Sequence, residues 1–150
     1  MANTYTRLLY HVVFSTKYRA PVLQPAYRKE LFRYFGGIAT AKGFILLEVN
    51  GVEDHVHLLV SIPAAMSVAK CVQLLKGNSS RWLHQVYGWD EFNCWQTGYG
   101  AFSIGSSQVD RTAAYIRNQE EHHRIQKFED EYVGFLEANG IAYDPQYLFD

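Results

Sequence analysis

Two histidines separated by one residue are the first feature of this sequence that could do chemistry. They are His55 and His57, within the stretch DHVHLLV at residues 54–60. Successive side chains of a β-strand point to opposite faces, so a strand here places both imidazoles on one face, about 7 Å apart at Cβ. Neutral imidazole is the commonest protein metal ligand, and two of them can hold one divalent ion. The pair alone, however, is more often two half-exposed strand residues than a metal site.

A second candidate group occupies one stripe of a helix predicted at residues 109 to about 122. Tyr115, Gln119 and His122 are spaced at i, i+4 and i+7, and therefore share a face of that helix. A phenol, an amide and an imidazole are chemically capable and poorly suited to a core, although an ordinary polar surface has the same pattern. His122 and the adjacent His123 are interpreted as surface or helix-end residues, and their membership of a site stays open.

The elements that must position these groups follow from hydrophobic periodicity. Strand and helix patterns come in the order β-α-β-β-α-β, over residues 6–16, 25–42, 44–62 as a hairpin, 67–86 and 94–104. This order is the signature of a ferredoxin-like (RRM-like) α+β fold, an antiparallel sheet with two helices on one face. The other face of the sheet is expected to stay free for a ligand.

Local signals predict where these elements begin and end. Pro25 is suited to the first turn of the first helix, and Gly43 is suited to its end. Asn50-Gly51 is the predicted turn of the hairpin, and the polar residues 76–81 predict a break within or near the second helix. His11, on the first strand, is expected to be packed or hydrogen-bonded rather than a metal ligand.

The chain is interpreted as one domain, because 150 residues can bury one sizeable core but do not divide comfortably into two. Its core is predicted at about residues 5–104. The tyrosine-bearing helix follows at about 107–122, and an acidic helix with a tail at about 124–150 completes the chain.

The composition favours a compact protein in a reducing compartment. Apolar residues make up 48% of the chain and aromatic residues 15%. No apolar run approaches the roughly 20 residues of a membrane-spanning helix, and the first residues do not open as a signal peptide. Cys71 and Cys94 are isolated, which argues against a disulfide framework or a structural zinc site. A cytoplasmic location is therefore predicted.

Charge is distributed unevenly along the chain. Residues 1–119 carry 12 Lys and Arg against 7 Asp and Glu, whereas residues 120–150 carry 2 against 8, so a body of net charge +5 precedes a segment of −6. Basic residues among aromatic ones suit phosphate contacts and base stacking. An ordinary solvated surface explains the same residues equally well. The candidate DNA contacts are Lys17, Arg19, Lys76, Asn78 and Arg81.

Five stretches of the chain resemble the single-tyrosine HUH transposases of bacterial insertion sequences. They are HVVFSTKYR at residues 11–19, DHVHLLV at 54–60, LKGNSS at 75–80, GYGAF at 98–102 and YIRNQ at 115–119. The stretches occur in the family's order, so the resemblance extends from about residue 5 to the end of the chain. Five matched stretches are far more specific than one pair of histidines.

The resemblance implies an activity and assigns roles to named residues. His55, His57 and Gln119 would bind Mg²⁺ or Mn²⁺, and Tyr115 would attack single-stranded DNA to give a 5′-phosphotyrosine and a free 3′-OH. The substrate would be DNA hairpins at the ends of a mobile element, which are cleaved and rejoined. Members of the family form homodimers that can exchange the tyrosine helix, and residues 105–107 would be the hinge for that exchange.

Two other functions remain compatible with the sequence. One is a ferredoxin-like nucleic-acid-binding module, an inactive or domesticated transposase that binds DNA hairpins without cleavage. The other is a metal phosphodiesterase that uses water, which would have no use for Tyr115. The intact set of His55, His57, Tyr115 and Gln119 favours the transposase, because a pure binding module needs none of these residues.

Overall fold

The computed structural model describes residues 3–90 and 94–149 of the chain. Its strands are β1 (Leu8–Ser15), β2 (Ile45–Gly51), β3 (His55–Ile62) and β4 (Gly100–Ile104). Its helices are α1 (Pro25–Lys42), α2 (Val68–Tyr87), α3 (Val109–Arg117), α4 (Gln119–Ile125) and α5 (Phe128–Ala138). Short 3₁₀ turns lie at Lys17–Arg19, Ser106–Gln108 and Pro145–Tyr147. The β-α-β-β-α-β order from β1 to β4 confirms the predicted ferredoxin-like α+β fold.

The four strands form one antiparallel sheet in the order β2-β3-β1-β4. The two central strands, β1 and β3, pair along their whole length, from Leu8 opposite Ile62 to Ser15 opposite His55. A central strand is covered on both faces, which agrees with the buried residues on both sides of β1 and β3. The sheet therefore holds the His-x-His motif of β3 at its centre rather than at an edge.

Helices α1 and α2 cover one face of the sheet. Their apolar stripes pack on Phe14, Val56 and Leu58, which are fully buried. α1 begins at Pro25, whose missing N–H is not needed in a first turn, and ends at Gly43, whose φ of 85° lies in the left-handed region. Both boundaries of α1 agree with the prediction.

The opposite face of the sheet is covered as well, by α5 and the segment that follows it. Val13 and Phe102 on the strands pack against Phe128, Tyr132 and Leu136 of α5. The prediction that this face stays free is wrong. The apolar residues of α5 recur at i, i+4 and i+8, and such a stripe stabilises the helix only when it is buried against another element. The functional candidates on this face of β3 therefore lie inside the protein.

Two strand boundaries differ from the prediction. The fourth strand begins at Gly100 rather than at residue 94, because Trp95 makes only an isolated bridge to Thr16. The hairpin turns at residues 52–54, since both residues of Asn50-Gly51 still pair with β3. Neither change alters the order of the strands.

Three helix boundaries also need correction. The polar residues 76–81 do not interrupt α2, which is continuous through them. The helix predicted at 109–122 divides at Asn118, whose φ of −97° and ψ of 26° separate α3 from α4. The acidic helix begins at Phe128 rather than at Arg124, and Asp150 at the end of the predicted tail lies outside the described residues. Among the described residues, no helix combines the length and apolar character that spanning a bilayer requires.

Candidate active site

The histidine pair lies on β3, on the sheet face that α5 covers. His55 and His57 are both 0% exposed, and their ring centroids lie 5.1 Å apart. Alternation along the strand places both on one face, as predicted, while Val56 and Leu58 point into the core under α1 and α2. The alternative of two half-exposed strand residues is therefore wrong.

His55 presents one unpaired nitrogen to the centre of this site. Its Nδ1 lies 2.7 Å from Oδ1 of Asp54, a carboxylate that only accepts, so Nδ1 carries the proton. The lone pair is then on Nε2, which is buried and makes no hydrogen bond. Within residues 3–90 and 94–149, no other buried side-chain nitrogen or oxygen is in that state. A carboxylate behind a histidine is the usual arrangement of a metal ligand, because it fixes the ring and its tautomer.

His57 lies between His11 of β1 and Glu131 of α5. Its Nδ1 is 2.8 Å from Nε2 of His11, and its Nε2 is 3.0 Å from Oε1 of Glu131. Burial lowers the pKa of His57 to about 4, against the hydrogen bond to Glu131, which acts to raise it. Burial and the neighbouring His57 lower the pKa of His11 to about 3. Both rings are neutral near pH 7, the form in which imidazole binds a metal, and His11 is hydrogen-bonded, as predicted.

Glu131 is an acidic group at the centre of the site, only 4% exposed on the inner face of α5. Its Oε1 lies 3.0 Å from Nε2 of His57, 3.4 Å from Nε2 of His123 and 3.7 Å from Nε2 of His55. Burial alone would raise the pKa of this carboxyl. Hydrogen bonds from His123, His57 and Tyr115 instead hold the pKa well below its ordinary value. A buried carboxylate therefore faces three imidazoles.

These four side chains form a group that could hold a divalent metal ion. The ligand atoms of His55, His57, His123 and Glu131 all lie within 4.8 Å of one another. Around an ion held at about 2.1 Å, neighbouring ligand atoms lie roughly 3.0 to 3.4 Å apart, close to the distances from Glu131 to His57 and His123. Imidazole nitrogen with carboxylate oxygen is a donor set that suits divalent transition metals.

Sequence reasoning missed Glu131, and it interpreted His123 as a surface or helix-end residue. A signal for Glu131 was present, because it falls on the apolar stripe of α5 together with Phe128, Tyr132 and Phe135. An acidic residue on the buried face of a helix needs a partner, and the partner here is the imidazole cluster. His123 had no comparable signal, since its position depends on the break between α3 and α4.

Tyr115 brings a hydroxyl to the same carboxylate. α3 packs against β2 and β3, where the carbonyl of Arg117 accepts a hydrogen bond of 2.9 Å from Nδ2 of Asn50. The Tyr115 ring lies 6.0 Å from the His57 ring, and its hydroxyl donates to Oε2 of Glu131. Burial, together with the hydrogen bond to Glu131, raises the pKa of Tyr115 well above its ordinary value. The hydroxyl is therefore protonated near neutral pH.

Gln119 and His122 also reach the site, but at its margin. The Oε1 of Gln119 lies 3.2 Å from Nε2 of His123, and its Nε2 donates to the carbonyl of Tyr115 at 3.4 Å. The ring of His122 stacks on that of Tyr115, with centroids 4.4 Å apart. The predicted stripe does assemble around Tyr115. The amide of Gln119 contacts an imidazole of the metal-capable group.

Comparison with known proteins identifies the family. The sequence matches the family described as "Transposase IS200 like" over residues 4–119. The chain belongs to the IS200-like transposases. It is 29% identical over 130 residues to the transposase for insertion sequence element IS200 of Salmonella typhimurium, a match that covers 83% of this chain and 85% of that protein. It is 28% identical over 119 residues to the ISDra2 transposase TnpA of Deinococcus radiodurans, over 75% of this chain and 84% of that protein.

Solved structures share the fold of this IS200-like transposase. A crystal structure from Deinococcus radiodurans R1, of a protein assigned as a transposase, has a TM-score of 0.64 at 27% identity and covers 79% of this chain and 95% of that chain. The structure of the REP-associated tyrosine transposase bound to a REP hairpin has a TM-score of 0.61 over 100% of this chain and 91% of that chain, and its 15% identity supports the fold alone. The family match ends at Gln119, so Glu131 lies outside it.

The predicted DNA contacts of this transposase differ in how freely they can meet a phosphate. Nζ of Lys76 donates to three carbonyls of the loop before β4, at 2.5, 3.3 and 2.9 Å. Asn78 donates to a carbonyl one turn earlier in α2. Arg19 lies 3.9 Å from a carboxylate of α5, and Lys17 is half-buried. Arg81 is exposed on α2.

Proposed function

We infer that this transposase cleaves and rejoins single-stranded DNA, with Tyr115 as the nucleophile and with His55 and His57 as ligands of a Mg²⁺ or Mn²⁺ ion. One observation carries this inference. The Tyr115 hydroxyl and the His57 imidazole bond to the two oxygens of a single carboxylate, that of Glu131. The proposed nucleophile and the metal-capable group therefore lie together, and a protein that only bound DNA would need neither.

The residues present fit a divalent ion. His55 directs a buried, unpaired Nε2 into the group, and burial keeps His57 neutral. Gln119 is proposed as the third ligand of the ion, and its Oε1 lies 3.2 Å from Nε2 of His123 in the same group. An ion bound there would polarise the scissile phosphate and stabilise the charge that develops on the leaving oxygen.

The reaction proposed for Tyr115 is a transesterification. Its Oη attacks the phosphorus, and the Oη–P bond forms while the bond from phosphorus to the 3′ oxygen breaks. The phenolic proton is lost to solvent water, and the 3′ oxygen takes a proton from solvent to become a 3′-OH. Attack by a second 3′-OH on the 5′-phosphotyrosine restores Tyr115 and joins two strands. The covalent link keeps the energy of the phosphodiester bond, so the joining step needs no ATP.

The proposed substrate is a DNA hairpin at the end of a mobile element. One structural relative is a REP-associated tyrosine transposase bound to a REP hairpin, and residues 1–119 of this chain carry a net charge of +5. Positive charge of this kind attracts the phosphate backbone without sequence preference. Among the proposed DNA contacts, the exposed Arg81 is the side chain most accessible to a phosphate.

Assembly as a homodimer belongs to the same proposal. Tyr115 contacts Glu131 and lies beside His57 of its own chain. Exchange of the tyrosine helix, with the segment that follows it, would replace the contact with His57 by the same one from a second copy. The hinge proposed for this exchange, residues 105–107, lies between β4 and α3.

The proposal is tested with labelled single-stranded hairpin DNA from the flanks of the gene. Protein and DNA are incubated with Mg²⁺, Mn²⁺ or a chelator and separated on a denaturing protein gel. A labelled band at the mass of protein plus DNA is expected, and it should require both the metal and Tyr115. Tyr115→Phe should bind the DNA without forming this band, whereas the exposed Tyr147→Phe should behave as the unaltered chain.

Two results would contradict the proposal. Free cleaved DNA without a protein adduct would indicate a phosphodiesterase that uses water. Bound but uncut DNA in every metal would indicate a binding module.

A further inference from the structure

We propose that Glu131 is a shared group of this site: one carboxylate oxygen is a metal ligand, and the other positions the hydroxyl of Tyr115. The metal half of this proposal stands on the cluster itself. The Tyr115 half rests on the proposed function, in which that hydroxyl is the nucleophile.

The position of Oε1 supports the role of metal ligand. It lies 3.0 Å from Nε2 of His57, 3.4 Å from Nε2 of His123 and 3.7 Å from the unpaired Nε2 of His55. Three imidazole nitrogens, two from β3 and one from α4, thus converge on one carboxylate oxygen of α5. Two histidines with one carboxylate are an established ligand set for a divalent metal that keeps open positions for a substrate.

The charge of Glu131 supports the same role. The side chain is buried, and its ion-pair partners in the described part of the chain are histidines. A buried carboxylate is costly unless it is paired with a positive charge or coordinates a metal. A divalent ion is the partner that would balance this buried negative charge.

The position of Oε2 supports the second role. It accepts the hydrogen bond of the Tyr115 hydroxyl, so Glu131 spans the distance between the imidazoles and the nucleophile. A bound ion would hold Oε1, and the rigid carboxylate would then place Oε2 and the hydroxyl at a defined distance from the ion. Glu131 therefore couples the position of Tyr115 to the occupancy of the metal site.

Gln119 lies close enough to the same group to join it. Its Oε1 contacts Nε2 of His123 at 3.2 Å, and that nitrogen faces Glu131 at 3.4 Å. One ring nitrogen cannot donate to Gln119 and bind an ion at the same time, so a metal bound to His123 would leave the amide oxygen of Gln119 beside it. The proposed role of Gln119 as a ligand is therefore compatible with a carboxylate ligand from α5.

A Mn²⁺ titration of the full chain tests the metal half without DNA. Binding is measured as the loss of the electron paramagnetic resonance signal of the free ion. Glu131→Gln keeps the size of the side chain and removes its charge, and it should weaken Mn²⁺ binding at least tenfold. The matched control is Glu129→Gln, because Glu129 lies on the same helix with a side chain that is 53% exposed. It should bind Mn²⁺ within twofold of the unaltered chain. Unchanged or tighter Mn²⁺ binding by Glu131→Gln would overturn the proposal, because it would show that the carboxylate occupies the metal site without binding the ion.

A fluorine spectrum tests the Tyr115 half. The chain is labelled with 3-fluorotyrosine, and the Tyr115 resonance is assigned by its loss in Tyr115→Phe. In the unaltered chain Mn²⁺ should broaden this resonance, and Glu131→Gln should shift it in metal-free protein while the other resonances keep their positions. If Glu131→Gln does not fold, Glu131→Asp provides the same test, since a shorter carboxylate should retain part of the Mn²⁺ binding and lose the contact with Tyr115.

The two proposals fail separately. The shared role of Glu131 would be overturned if the Tyr115 resonance is neither broadened by Mn²⁺ nor shifted by Glu131→Gln, even if the protein–DNA adduct forms. If the unaltered chain forms no adduct while the Mn²⁺ titration and the fluorine spectrum give the expected results, the proposed cleavage is overturned. The two roles of Glu131, as metal ligand and as partner of the Tyr115 hydroxyl, would then still stand.

Discussion

Nε2 of His11 lies 2.8 Å from Nδ1 of His57, and both rings are buried between the sheet and α5. One of these nitrogens donates and the other accepts, and a neutral imidazole can do either. When Nε2 of His57 donates to Glu131, its Nδ1 accepts from His11. When Nε2 of His57 binds a metal, its Nδ1 carries the proton and donates to His11. His11 can therefore pair with His57 in both the metal-free and the metal-bound tautomer.

Replacing His11 by phenylalanine should weaken metal binding. His11→Phe keeps a ring in the buried space but leaves Nδ1 of His57 without a partner, and loss of such a supporting hydrogen bond typically lowers metal affinity by about 10- to 100-fold. The measurement is the Mn²⁺ titration, with near-ultraviolet circular dichroism to verify the fold. Unchanged Mn²⁺ affinity in a folded His11→Phe protein would exclude a role for this pair in the metal site.

Acid should destabilise the metal-free protein through the same pair. Burial lowers the pKa of His11 to about 3 in the folded chain, while its value in the unfolded chain is near 6.5. Between these values the unfolded chain binds a proton that the folded chain does not, so the free energy of unfolding falls as the pH falls through this window. His11 should therefore lower the free energy of unfolding by about 2 kcal/mol at pH 5, relative to neutral pH.

Urea unfolding in the presence of a chelator, at pH 7.5 and at pH 5, measures this loss. The His11→Phe protein should lose less stability on acidification than the unaltered chain, by about the same 2 kcal/mol. Equal losses in the two proteins would show that His11 takes up its proton in the folded state.

Lys76 and Arg81, both on α2, should separate structural from DNA-binding roles. Lys76 donates to three carbonyls of the loop before β4, and burial lowers its pKa to about 8. Lys76→Met should lower the free energy of unfolding by about 1 to 3 kcal/mol, because the carbonyls lose a charged donor. Lys70→Met, at an exposed position of the same helix, should change the free energy of unfolding little.

Arg81→Gln should leave stability unchanged and reduce the affinity for hairpin DNA, as measured by fluorescence anisotropy. The opposite pattern would make Lys76 the DNA contact and Arg81 the structural residue.

Gly100 should be required for the docking of α5. A Cβ atom at this position would lie 2.8 Å from Cε1 of Tyr132 and 3.1 Å from Cζ of Phe102, both buried rings. Gly100→Ala should therefore destabilise the protein by about 1 to 3 kcal/mol. At Gly98 a Cβ would meet nothing closer than 3.9 Å, so Gly98→Ala is the matched control. Equal thermal denaturation midpoints for the two variants would contradict this prediction, because they would show that α5 can shift to accommodate the added methyl group without loss of stability.

Local pattern was sufficient for the fold and for half of the site. Alternation with a period of two places His55 and His57 on one face in any strand, and Pro25 and Gly43 bound α1 through their own backbone preferences. Helical spacing likewise brought Gln119 next to Tyr115. Each of these predictions depends on neighbours close in sequence.

The rest of the site depends on contacts between distant parts of the chain. Glu131 meets His57 only because α5 packs on the back of the sheet, and no local pattern states which surface an amphipathic helix will cover. His123 enters the cluster because the helix breaks at Asn118, a position where the sequence has neither glycine nor proline. The acidic character of the last segment was visible in the sequence, but the use of one of its carboxylates was not.

The central claim is that Tyr115 is the residue that becomes linked to DNA. Trypsin, which cleaves after Arg111 and after Arg117, should release the peptide of residues 112–117, and Tyr115 is the single tyrosine of that peptide. After reaction with hairpin DNA and nuclease trimming, mass spectrometry should find this peptide carrying a nucleotide through a 5′-phosphate. An unmodified 112–117 peptide in a sample whose DNA has been cut, or a nucleotide on any other peptide, would contradict the account.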